Sequence, residues 1–137
     1  MQKENGHEIV KYGTLALACL SENNETHKKL INSAALPSIS KLITSQIHYD
    51  ITKNCAKILA NLANDPEHYD ALMALECRDF IIKELLDLSD NTVQFYILKF
   101  LLGLCTNSVD RAPSLPKFLI MANYLEPILR CCVSADE

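Results

Sequence analysis

The 137-residue sequence has no tryptophan, only 3 glycines and only 5 prolines. An all-β fold of this length draws on many turn glycines, and a Gly-rich phosphate loop needs several close together, so both are set aside. A dominant charge is missing too: the net charge is −4, with acidic and basic residues interspersed. That balance leaves no electrostatic footprint for a nucleic acid or an anionic membrane surface. The longest apolar stretch, "FYILKFLLGLC" (95–105), contains Lys99 and falls far short of the roughly 20 residues that span a bilayer. The opening "MQKENGHE" lacks the apolar segment of a secretory leader.

What is present is a chain 49% apolar, long enough to bury about two-thirds of its unfolded surface, with a composition that suits helices packed on helices. Six cysteines fall at 19, 55, 77, 105, 131 and 132. Their spacing is not that of a small disulfide scaffold, and several lie on helical apolar faces. Reduced, buried thiols in the cytoplasm or nucleus are the reading that fits.

The chain repeats itself. Shifted by 42 residues, "EIVKYGTLALACLSE" (8–22), "DITKNCAKILANLAN" (50–64) and "NTVQFYILKFLLGLCT" (91–106) fall into register. Apolar positions recur as Ile9, Gly13, Ala16, Leu17, Leu20, as Ile51, Cys55, Ile58, Leu59, Leu62, and as Val93, Ile97, Phe100, Leu101, Leu104. The spacing i, i+4, i+7, i+8, i+11 is one face of an α-helix. Between them, 23–46 pairs with 65–90 as two shorter helices, with breaks at Ala34–Pro37 and Cys77–Asp79. The first of these carries Leu30/Ile31 or Leu72/Met73. The second carries Leu36, Ile39, Leu42, Ile43 or Phe80, Ile81, Leu85, Leu86. The third copy is stretched by "SVDRAPSLPK" (108–117), whose prolines predict an irregular connection. It resumes with Ile128 and Cys131 in place of Ile39 and Leu42. A helical period near forty residues predicts an α-solenoid.

The period, three helices per unit, "AALPSISKLI" and above all "NCAKILANLANDPE" resemble armadillo repeats over residues 8 to about 134. The resemblance implies an all-α, right-handed superhelix of three-helix units. Ala34, Cys77 and Asn123 replace the family's glycine between the first two helices, which keeps a HEAT-like relative open as the alternative subtype. In armadillo terms, residues 1–137 form one repeat domain. It has a third helix at 8–22, units at 23–64 and 65–106, and a partial unit at 107–134 with an extended 108–117 loop. Solenoid ends that fall mid-unit leave core faces uncovered, so a fragment of a longer repeat protein, or an array that ends with a non-standard cap, is expected, with pairing of two copies as the partnership that uncapped ends allow.

In this family the third helices line a concave groove in which asparagines hydrogen-bond the backbone of a bound segment. An amide suits that task because it both donates and accepts. Asn61 matches the ladder position, within a polar stripe of Asp50, Asn54, Lys57, Asn61 and Asn64. In the other copies the same register gives Tyr12, Leu15, Cys19 and Tyr96, Lys99, Gly103. The family's groove tryptophan is absent, with Leu15, Lys57 and Lys99 in its place, so a receptor for basic localisation signals is not expected. Tyr12, Asn54, Lys57, Asn61, Asn64, Tyr96 and Lys99 are the candidate groove residues. They imply a protein or peptide partner carrying acidic groups and some apolar surface.

Chemistry is sparse. Histidines at 7, 27, 48 and 68 do not pair with cysteines at zinc-finger spacing, and no cofactor or metal site is expected. His27 and His68 stand near corresponding places early in the first helices and are expected to face solvent. Cys55 and Cys105 lie in apolar stripes, where a thiol is held protonated and inert. Cys19, in the groove register, is the thiol expected to react first. The reading is a non-enzymatic interaction module, a scaffold or adaptor. Its rival is a spacer or self-association segment of a larger solenoid, with no peptide-binding role.

Overall fold

The computed structural model describes residues 2–109 and 124–135. Among them the chain is all-helical, with no strand. Helix α1 (Gln2–Leu20) leads through α2 (Asn24–Asn32) and α3 (Ala35–Ser45) to α4 (Tyr49–Ala63). A 3-10 turn (Pro66–His68) opens α5 (Tyr69–Met73). Then α6 (Arg78–Phe80) continues through a π turn (Ile81–Leu85) into α7 (Leu86–Leu88). The long α8 (Asn91–Val109) follows, and α9 (Leu125–Ala135) closes the described chain. The expected loop at 108–117 begins as the last turn of α8, while residues 110–117 and Asn123 lie outside the described residues.

Local chemistry starts these helices where the polar residues fall. Asn23 caps α2 by accepting the Glu25 N–H at 2.9 Å, and His48 Nδ1 caps α4 by accepting that of Asp50 at 3.1 Å. Asp90 does the same for α8 through Val93 N–H, and Tyr49 at the start of α4 donates to its other carboxylate oxygen at 2.6 Å. Pro66 occupies the first turn of its helix, where its missing N–H leaves no gap. The breaks come earlier than the sequence implies. Pro37 lies inside the first turn of α3, a position proline tolerates, and the second break ends at Cys77.

Helix α4 packs on α1, α3, α5 and α8. Its whole apolar stripe is buried, as is that of α8 from Val93 to Leu104. Each such Ile, Leu or Phe contributes roughly 1.5–3 kcal/mol of transfer free energy. The matching stripe of α1 is less covered: Ile9 is 71% and Leu20 53% exposed, while Leu17 packs partly against the core.

The two joints of α4 differ in kind. Toward α1 the joint is polar. Asn54 Nδ2 donates to the Lys11 carbonyl at 3.2 Å and to Thr14 Oγ1 at 3.1 Å, and Asn61 Nδ2 donates to Ser21 Oγ at 2.9 Å. Toward α8 the joint is a close approach. A Cβ on Gly103 would sit 2.5 Å from the Ala63 carbonyl oxygen, and Asn107 Nδ2 donates to that same oxygen at 2.9 Å. Beyond α8, buried Tyr124 fixes the start of α9 by accepting from Arg78 Nε at 2.8 Å and donating to Asp79 at 2.7 Å.

Two glycine substitutions therefore have opposite signs. Gly103→Ala gains about 1 kcal/mol of helix propensity but forces α4 and α8 apart, for a net loss of about 1–2 kcal/mol. Gly13→Ala, with nothing within 4 Å, gains about 0.5–1 kcal/mol. Urea denaturation of the two variants checks the signs.

Candidate functional site

Burial of α4 on nearly every side leaves one stripe open: Asp50, Lys53, Lys57, Asn61 and Asn64, residues three or four apart on one helical face. Lys53 stands where the sequence reading put Asn54. That is a correction by one residue of helical rotation. Asn54 is buried with its amide spent on α1, because two acceptors, Lys11 O and Thr14 Oγ1, are presented to it across the joint. It is not a groove residue.

The other expected residues keep partial access. Asn61 is half-buried, with one amide hydrogen committed to Ser21, and Asn64 is exposed as the C-cap of α4. Lys57 forms an ion pair with Glu22 at 2.9 Å, and that contact raises its pKa from the ordinary lysine value. Tyr12 is exposed, with Lys11 Nζ 5.6 Å from its ring centre. Tyr96 is half-buried and meets the Phe95 ring edge-on at 5.5 Å. Lys99 is exposed, with Nζ 5.4 Å above the Phe95 ring.

Two exposed apolar residues on α8 were missed, Phe95 (56%) and Leu102 (65%), in line with Lys99. They sit seven residues apart, outside the buried stripe, and that spacing was the available signal. Gly103 is a packing glycine, since a Cβ there would run into Ala63. The charges largely cancel: Lys11 and Lys53 both reach Asp50, at 3.6 and 3.5 Å, and Lys57 is held by Glu22. Among the described residues, Lys99 has a ring beneath it and no carboxylate. The face therefore offers amides, aromatic and aliphatic surface, and one cation without an acidic partner.

The thiols divide by environment. Burial pushes Cys55 up to about 12 and also raises Cys77, Cys105 and Cys131; at Cys77 a hydrogen bond from Ser40 Oγ at 3.0 Å opposes the rise. Cys19 and Cys132 are exposed. His27 and His68, expected to face solvent, are instead buried against each other where the chain leaves α1 and α4. Among the described residues, only they and Asp65 bring together three side chains able to hold a metal ion.

Comparison with protein-family models, with curated proteins and with solved structures returned no match.

In the native protein a thiol reagent is expected to modify Cys19 and Cys132 at least tenfold faster than Cys55 and Cys77, as peptide mass mapping over time would measure. A thiol whose folded pKa is raised contributes stability that is intact below its ordinary value near 9 and is lost as pH climbs toward about 12. Melting curves across that range should decline less steeply for Cys55→Ala than for the natural chain.

Proposed function

We propose that the chain is a non-enzymatic interaction module, an armadillo-type superhelix in which α1, α4 and α8 are the third helices of successive units. It would hold an extended or helical segment of a protein partner along the face of α4 and α8, in the cytoplasm or nucleus. The observation that carries this reading is the run of exposed Phe95, Lys99 and Leu102 on α8, the helix that packs on α4. Exposed aromatic and aliphatic side chains grouped with a cation are what a protein interface draws on for its anchors. Asn61 and Asn64 would pair with the partner's backbone. The ion pairs that neutralise Lys53 and Lys57 argue for apolar anchors with one acidic group near Lys99, and against a strongly acidic partner.

A second reading, a self-association or spacer segment, is favoured by one specific observation. Apolar stripes stand open on α1 (Ile9, Leu20) and on α9 (Leu125, Leu129, Val133). These are surfaces that further repeats or another copy would cover.

Quantitative pull-down from cytosolic extract separates the two. The variant Phe95→Ala/Lys99→Glu/Leu102→Ala alters only exposed side chains, so helicity should be kept. The first reading expects specific partners to be lost at least tenfold, and peptides cut from those partners to compete with them. Partners that survive this variant but are lost with Ile9→Lys/Leu20→Lys or Leu129→Lys would replace it with the second reading.

A further inference from the structure

Three side chains with metal-ligating atoms converge where the segment after α1 meets the segment after α4. His27 is 1% exposed and His68 4%. Asp65 Oδ2 lies 3.3 Å from His68 Nε2 and 3.8 Å from His27 Nδ1, and the three atoms all fall within 4.8 Å of one another. The rings meet edge-on with centroids 5.5 Å apart. Both of these ring nitrogens are shielded from water, and neither has an aligned hydrogen-bond partner. The 3.3 Å contact is short enough for a hydrogen bond but lacks the direction of one. Buried polar atoms are nearly always satisfied, so two that are not, aimed at one carboxylate oxygen, point to something between them.

The remaining atoms of each group are already held as a metal site requires. His27 Nε2 lies 2.7 Å from the Ser21 carbonyl, which can only accept. Nε2 therefore carries the hydrogen, and in the neutral ring the lone pair is on Nδ1, facing Asp65. Asp65 Oδ1 accepts the Glu67 N–H at 3.0 Å as the cap of the 3-10 turn, which fixes the carboxylate and leaves Oδ2 to the rings. Tetrahedral Zn2+ with bonds of about 2.0–2.1 Å spaces its ligand atoms roughly 3.3–3.4 Å apart, where an octahedral ion with the same bonds would need about 2.9 Å. The contacts of 3.3 and 3.8 Å lie nearer the tetrahedral edge.

We propose that His27, Asp65 and His68 form a three-ligand Zn2+ site that clasps α2 to the turn after α4, with water in the fourth position. Two neutral imidazoles and a carboxylate are a donor set that suits this ion. Asp65, with 23% of its side chain exposed, gives the ion a way in. The nearby surface charges Lys28 and Glu67 face each other at 3.8 Å and do not compete for it. The surface clefts beside α9 (Asp87, Arg130) and between α3 and α5 (Leu36, Cys77) are lined by other residues.

The test adds Zn2+ to the full chain after chelator stripping and removal of the chelator, with calorimetry and melting curves as readouts. The expected result is one equivalent bound and a melting temperature that climbs with free Zn2+. Asp65→Asn, which keeps a capping side chain, and His68→Gln should each weaken binding at least tenfold, while Cys19→Ser/Cys132→Ser leaves it unchanged. Absence of stoichiometric binding would overturn the site, as would binding indifferent to the first two variants or abolished by the third. Should a variant lose helicity, X-ray absorption on the zinc-loaded natural chain decides. Scattering from two imidazoles supports the site, and sulfur or an all-oxygen shell refutes it.

Discussion

Everything in this structure leans on the enclosure of α4. Ile51, Cys55, Ile58, Leu59 and Leu62 are sealed among α1, α3, α5 and α8, and Ala56, Ala60 and Ala63 let the neighbours come close. A helix held on so many sides has almost no rotational freedom. Which of its residues reach the surface is thereby decided by packing and not by their own polarity. Asn54 shows the force of this: a polar residue ends in the interior because the enclosure turns it there, and α1 supplies the acceptors that make its burial tolerable.

The two joints of α4 satisfy the same requirement by different means. On the α1 side, amides and hydroxyls of Asn54, Thr14, Asn61 and Ser21 join the helices by directional bonds. On the α8 side, Gly103 against Ala63 brings two backbones together, and Asn107 takes up the carbonyl at the point of closest approach. A polar joint fixes the sliding register between helices, because a misplaced amide would be left unsatisfied. A small-residue joint fixes their separation. The face running from α4 to α8 inherits its shape from both.

How legible this was depended on whether the cause was local. The apolar stripes of α4 and α8 follow from helical periodicity, and their burial was readable residue by residue. The α1 stripe had the same pattern but is exposed at Ile9 and Leu20, because periodicity says which face is apolar and not whether a neighbour covers it. Asn54 and Lys53 were interchanged because adjacent residues differ by about 100° around the axis, and only the neighbour's acceptors decide which one turns in. His27 and His68 were misplaced for a related reason. They are 41 residues apart in sequence, and only the packing of the segment after α1 on the segment after α4 brings them to one carboxylate.

The open stripes on α1 and α9 would also set the symmetry of any assembly of copies. They are different surfaces on different helices, so copies joined by seating one stripe on the other would make a heterologous contact. Such a contact does not close on itself as a two-fold pair does. Each added copy would present a fresh stripe, and growth would stop only when the per-step rotation completed a ring or a differently shaped cap took the end.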